Sequence, residues 1–184
     1  RPLSDSKTIP MLYLQVQLWQ RELSGILRYV QKEPEFTWRG GIKADEDRVA
    51  LPMYFCRDCG ASGWITRRLA TDDRYCSDVR TVNMAFANKE KDVYLLNTEV
   101  KRHEAVDDYL GENAISVTHY VKLNNLSESS VSDSDTIRLR VCSKSSSNRN
   151  GNQKFARTCP ECNGGDTICQ IGGRTSTLSS VAIS

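Results

Sequence analysis

The sequence predicts an α+β fold, and three observations carry that reading. From Met11 to Gln31 apolar residues fall at 11, 12, 14, 18, 19, 23, 26, 27 and 30, the spacing of an amphipathic helix with one broad apolar face. Ile115, Val117, His119, Val121 and Leu123 alternate with polar residues, as do Ile137, Leu139 and Val141, which is the pattern of paired strands. Two CxxC pairs, each flanked by a strand-like run, stand with 99 residues between Cys59 and Cys159.

The remaining elements follow in chain order. Residues 1–9 read as an extended arm. Pro10 opens the first helix, where its missing N–H costs nothing, and Pro34 stops it. Residues 34–48 read as a linker broken by Gly40 and Gly41. Val49 to Phe55 reads as a strand and Gly63 to Thr66 as its return. Tyr75, Val79, Val82 and Phe86, spaced by four, three and four, place a second helix over 72–88. A short strand is expected at 92–97 and a short helix at 102–110, closed by Gly111. A polar loop, 123–136, joins the two alternating runs. The stretch 143–153 is low in complexity and is expected to be mobile. Thr167 to Ile171 reads as a last strand.

Composition excludes several classes. A length of 184 residues suits one ordinary domain, or one carrying a small second module. Hydrophobic residues at 39% and charged residues at 26% do not describe a disordered chain. With 25 basic and 23 acidic side chains the net charge is +2, so global charge points to no nucleic-acid, acidic or membrane partner. No apolar run approaches the ~18 residues that span a bilayer, and no signal-peptide pattern opens the chain. A cytoplasmic protein with no membrane partner is expected. The chain starts on Arg1 and stops on Ser184 within a Thr/Ser/Val pattern, and it reads as a piece of a longer polypeptide.

The seven cysteines are odd in number and lack a secretory context, which argues against a disulfide framework. Four of them form the knuckles Cys56-Arg-Asp-Cys59-Gly and Cys159-Pro-Glu-Cys162-Asn-Gly-Gly. A CxxC turn aims two thiolates at one ion, and a following glycine relaxes the turn. Two such turns make the tetrahedral four-cysteine site that zinc takes, with thiolates at ~2.3 Å. Cys56, Cys59, Cys159 and Cys162 are therefore the candidate ligands of one Zn2+. The gap between the pairs is long for a ribbon. The expected organisation is a split zinc ribbon: an N-terminal amphipathic helix and linker at 1–48, the first half at 49–66, an inserted α/β subdomain with a mobile basic loop at 67–157, and the second half at 158–172. Four thiolates leave no open coordination position, so the zinc is expected to be structural, with its binding part of the folding free energy.

Other readings of these residues are weaker. A redox dithiol wants its CxxC at the start of a helix, and no convincing helix follows either pair. Cys76, Cys142 and Cys169 read as small buried hydrophobes, and of these Cys169, seven residues beyond Cys162, is the alternative ligand should one of the four be replaced. His103 and His119 read as surface or packing residues. His103 is followed directly by Glu104, which breaks the HxE of a zinc deaminase, and HExxH is missing. GxxxxGK[ST], GxGxxG and GxSxG are missing too, so no catalytic residue is assigned.

Arg138, Arg140, Lys144, Arg149, Lys154 and Arg157 form a basic run without an acidic residue. Spaced cations in a Ser/Asn-rich segment can follow a nucleic-acid backbone, against the plainer reading of a solvated loop beside a strand. Trp19 and Trp38 are candidates for base stacking or for the core, and Trp64 for packing beside a knuckle.

Several segments together resemble one family. They are YLQVQLWQREL (13–23), EPEFTW (33–38), LPMYFCRDCGASGW (51–64), CPECNGG (159–165) and GGRTSTLSSVAIS (172–184). These resemble large bacterial DEAD/DEAH-box helicases of superfamily 2, related to Lhr-like helicases. In those proteins a cysteine-bearing region lies between two RecA-like motor domains. The resemblance covers both ends and the first knuckle, while the middle of the chain does not share it. It implies a parent that is an ATP-dependent motor using ATP and Mg2+ on nucleic acid, with DNA the expected partner, and RecA-like domains flanking this piece. Residues 173–184 would lead into the second motor domain. The motor's phosphate-binding lysine and acidic motif are not in this chain, so the piece itself is not expected to hydrolyse ATP. Among functional residues the resemblance carries over only the four cysteines, as zinc ligands. The expected role is a structural zinc-binding accessory domain that assists nucleic-acid binding or partner docking. The alternative is a zinc-ribbon module that binds protein and touches no nucleic acid.

Overall fold

Gly25 takes a positive φ of 98°, and the chain leaves it as a strand. The computed structural model describes residues 25–39, 48–98, 113–147 and 151–171. The expected helix at 11–31 therefore falls largely outside the described residues. Where it can be compared it is replaced: β1 (Ile26–Tyr29) is a strand, antiparallel to β2 (Phe36–Trp38) and β3 (Ala50–Leu51). Leu27 and Tyr29 are buried while Ile26 and Arg28 are half-exposed, an alternation of period two. The expected linker at 34–48 also holds a strand, β2, whose Phe36 and Trp38 are exposed.

Pro52 interrupts the expected 49–55 strand, because it brings no N–H to the ladder. Beyond it run β4 (Met53–Cys56) and β5 (Ser62–Arg67), joined by the first knuckle. The helix α1 (Val79–Asn88) begins later than its apolar spacing suggests. Asp78 is the reason: its carboxylate accepts from the Thr81 N–H at 2.9 Å and caps the first turn. Tyr75 lies before the helix and packs on the opposite side of the sheet. Lys89 closes α1 in a left-handed conformation, φ 55°, with its N–H on Phe86 O.

The second half of the chain is strand-rich. β6 (Val93–Thr98), β7 (Ala114–Lys122) and β9 (Thr136–Ser147) confirm three expected strands. The 123–136 loop carries a two-residue strand, β8 (Glu128–Ser129). The segment expected to be mobile is largely ordered ladder among the described residues. Ser143–Ser147 continue β9, and β10 (Gln153–Phe155) pairs back on them. Residues 148–150 lie outside the described residues, as do 99–112, which hold the expected 102–110 helix and His103.

β11 (Ile168–Ile171) pairs with β4 and completes one antiparallel sheet, in the order β11-β4-β5-β6-β9-β7-β8, with β10 on β9. The strands from residues 67–157 thus extend the sheet that carries the knuckles. Both faces are covered. On one, α1 packs Val82 and Phe86 against Ile65, Leu95 and Phe155. On the other, Trp64, Leu96, Leu139 and Val141 meet Leu51, Tyr75 and Leu126. Trp64 is fully buried there, donates to Tyr29 O at 3.2 Å and lies under the Arg28 guanidinium. The protein is mixed α+β and mostly sheet. No helix among the described residues is long and apolar enough to cross a membrane.

Candidate metal centre

The sheet register brings the knuckles together. The first is the β4–β5 turn. The second leads into β11, whose Ile168 pairs with Cys56. The two turns have the same internal wiring. In the first, Cys56 N donates to Ala61 O at 2.7 Å and Gly60 N donates to Cys56 O at 3.0 Å. In the second, Cys159 N donates to Gly164 O and Asn163 N to Cys159 O, both at 3.0 Å. Position four after the leading cysteine is left-handed in both, Gly60 at φ 73° and Asn163 at φ 54°. The second knuckle thus bends at an asparagine, which tolerates this region better than most residues, rather than at its glycines.

The sulfurs of Cys56, Cys59, Cys159 and Cys162 all lie within 4.8 Å of one another. Cys56–Cys162 and Cys59–Cys159, both across the two turns, are 3.7 Å apart. A tetrahedron of thiolates at ~2.3 Å from zinc has edges of about 3.8 Å. A disulfide would need ~2.05 Å. The set therefore fits a tetrahedral thiophilic ion and could hold zinc. Cys56 and Cys159 are buried, and Cys59 and Cys162 are exposed. Cys169 stands outside the cluster on β11, opposite Phe55, so it is not the fourth ligand.

The local field favours anionic sulfur unevenly. Burial works against the Cys56 thiolate, but the Thr167 hydroxyl and the backbone of Cys59 and Asp58 outweigh it and bring the thiol down to about 6. Burial pushes the Cys59 and Cys159 thiols up. Four adjacent thiolates repel one another, and a divalent cation removes that repulsion.

Neighbouring residues fix the turns. Arg57 donates to Asp166 O at 2.9 Å and so ties one knuckle to the other. Glu161, inside the second CxxC, accepts from Arg140 at 3.1 Å and from Asn97 Nδ2 at 3.0 Å. Both members of the Arg140–Glu161 pair are only 13% exposed. A Cβ at Gly164 would stand 2.7 Å from Asp58 Oδ2 and 3.0 Å from Thr167 Cγ2, so the exposed Asp58 carboxylate would have to swing away and Thr167 to give slightly.

Among the described residues, the members of the basic run lie in different places. Arg140, expected as a phosphate contact, pairs with Glu161 and donates to Ser116 Oγ. Lys144 reaches Asn163 Oδ1 at 3.1 Å, at the second knuckle. Arg138 is exposed on β9, Arg149 lies outside the described residues, and Lys154 and Arg157 flank the start of the second knuckle on the far side. Cys142 is fully buried, as expected, and Cys76 is half-buried. His119 packs against Tyr75 with a 2.9 Å hydrogen bond to its hydroxyl. The sequence reading missed Glu161 and Lys89. Glu161 reads as filler between two cysteines, and Lys89 is distant in sequence from the other cations.

Comparison with protein-family models, curated proteins and solved structures found no match to this chain.

Proposed function

We propose that this chain is a split zinc ribbon holding one structural Zn2+, and that it serves as an accessory domain of an ATP-dependent DNA helicase. The single observation behind the metal assignment is the four-sulfur cluster, with its 3.7 Å edges across two identically wired turns. The helicase assignment is supported by the likeness of the segments around both knuckles and at the chain ends. The domain's work is positional. With all four positions taken by thiolates the ion has no place for a substrate, so it pins the sheet edge that carries β11 and β4. The chain then assists the motor by contacting nucleic acid or by docking a partner.

Elemental analysis of protein purified without added metal tests the assignment. Wild type is expected to carry about one zinc per chain, and Cys159→Ser to lose it with a large fall in thermal stability. Titrating wild type with a chelator gives the same readout without a mutation. Metal-free wild type, or metal that survives the substitution, would overturn the site.

A protein-binding module is the second reading, favoured by the internal engagement of Arg140. Affinity for DNA that falls steeply with salt separates the two, because only phosphate contacts release counterions.

A further inference from the structure

A groove opens beside the second knuckle, away from the sulfurs. It has a volume of about 450 Å³. Ser146, Ser147 and Lys154 line it from the β9–β10 pair, Arg157 and Thr158 from the segment after β10, and Gly165 and Asp166 from the end of the knuckle. Lys89 reaches it from the end of α1. Three cations thus meet one carboxylate and three hydroxyls. We propose that this groove binds the phosphates of a nucleic-acid strand, with Lys89, Lys154 and Arg157 as the contacts.

The cations come from three separate elements, and each is placed by the backbone. Lys89 is left-handed at the helix terminus, and its carbonyl accepts from Phe155 N at 2.9 Å, which fixes it to the β10 side. Its only ion pair among the described residues, with Asp166, is 3.5 Å long and exposed on both sides. Such a pair is worth little and yields to a stronger anion. Lys154 has no ion pair among the described residues and is exposed. Arg157 lies over the Phe86 ring at 4.6 Å and donates to Phe86 O at 3.3 Å. In doing so it offsets the negative end of α1, which would otherwise repel an anion at this place.

Chemistry selects the ligand. Three cations against one carboxylate disfavour a cation and favour an anion. A phosphodiester strand brings one negative charge per nucleotide and acceptor oxygens for the hydroxyls. The volume accommodates one or two nucleotide units of an extended strand. A Cβ at Gly165 would meet nothing within 4 Å, so this wall is open to a chain passing through. Thr158, Gly165 and Asp166 bracket Cys159 and Cys162, so the metal site holds that wall. The inference rests on the nucleic-acid reading above and narrows it to one surface.

The test is fluorescence anisotropy of a labelled 12-nucleotide single-stranded DNA with the zinc-loaded chain across a salt series. Lys89→Gln with Lys154→Gln is expected to weaken binding about tenfold and to reduce the salt slope by about 1.4, at ~0.7 per lost phosphate contact. Lys122→Gln, an exposed charge on β7, is the control and is expected to stay within twofold of wild type. Circular dichroism of each variant confirms folding. If the double variant binds like wild type, the groove is overturned while nucleic-acid binding stands. If wild type binds no DNA, both fall. Inorganic pyrophosphate is the second arm. Displacement of the DNA by pyrophosphate at equal phosphate concentration would overturn a strand site and assign the groove to free phosphate.

Discussion

Gly164 and His119 show what single residues contribute. Adding a methyl at Gly164 drives it into Asp58 and Thr167, the residues that line the first knuckle's side of the site. Gly164→Ala is expected to lower zinc affinity by about tenfold, the lower end for residues that support ligands, measured by competition with a chromogenic chelator. Gly165→Ala, with open space at its Cβ, is the matched control. His119 is coupled to pH. Burial, against the pull of Glu128, holds its imidazole below the ordinary value. The unfolded chain therefore takes up this proton first as pH falls through ~6.5. The contribution to stability is complete above that value and is lost as pH falls toward the folded pKa. Acid also protonates the thiolates, so the readout is a difference. Urea unfolding at pH 7.5 and 5.5 is expected to show a smaller drop for His119→Gln than for wild type.

At the scale of elements, the second knuckle depends on a strand pair far from it in sequence. Glu161 joins it to Arg140 on β9 and to Asn97 on β6. Glu161→Gln removes the carboxylate's charge and leaves a buried guanidinium uncompensated. A loss of about 3 kcal/mol is expected in chemical denaturation. If the change stays below about 0.5 kcal/mol, the pair is not what holds the turn. The same scale shows what could be read from the chain beforehand. β6 and β9 were legible because each buries residues in a regular apolar pattern, and β7 from its alternation alone, since Val121 is its one buried residue and Ile115 and Val117 are exposed. β1 was not, because Ile26, Leu27 and Val30 satisfy the helical and the strand period over so few residues. Gly25, with its positive φ, marks the break. β2 and β8 carried no signal, since β2 exposes its aromatics and β8 is two polar residues long. The start of α1 was written in Asp78, although Tyr75 fits the apolar spacing so well that it hides the cap.

For the whole molecule, the knuckles were legible because thiolate chemistry dictates the CxxC spacing locally. Their meeting was legible only as an inference from ligand number. The sheet order was not, because pairing of β5 with β6 and of β6 with β9 depends on partners across the chain. That order merges the cysteine-bearing strands with the rest of the chain in one ladder. Strain or binding at the β7–β8 edge is therefore connected by continuous pairing to the metal edge. The groove beside Lys89 has the same origin: its cations come from residues 89, 154 and 157, which only the completed fold brings together.

The distance between the two halves of the metal site also has a consequence during synthesis. Cys59 and Cys159 are 100 residues apart. At the ~5–20 residues per second of a ribosome, the first thiol pair emerges about 5–20 s before its partners. β11, which must pair with β4, arrives later still. For that interval a nascent chain holds two exposed thiols and an unpaired strand edge, open to oxidation and to misplaced pairing. The site thus closes late: four-thiolate coordination can form only after nearly all of the described residues have been made.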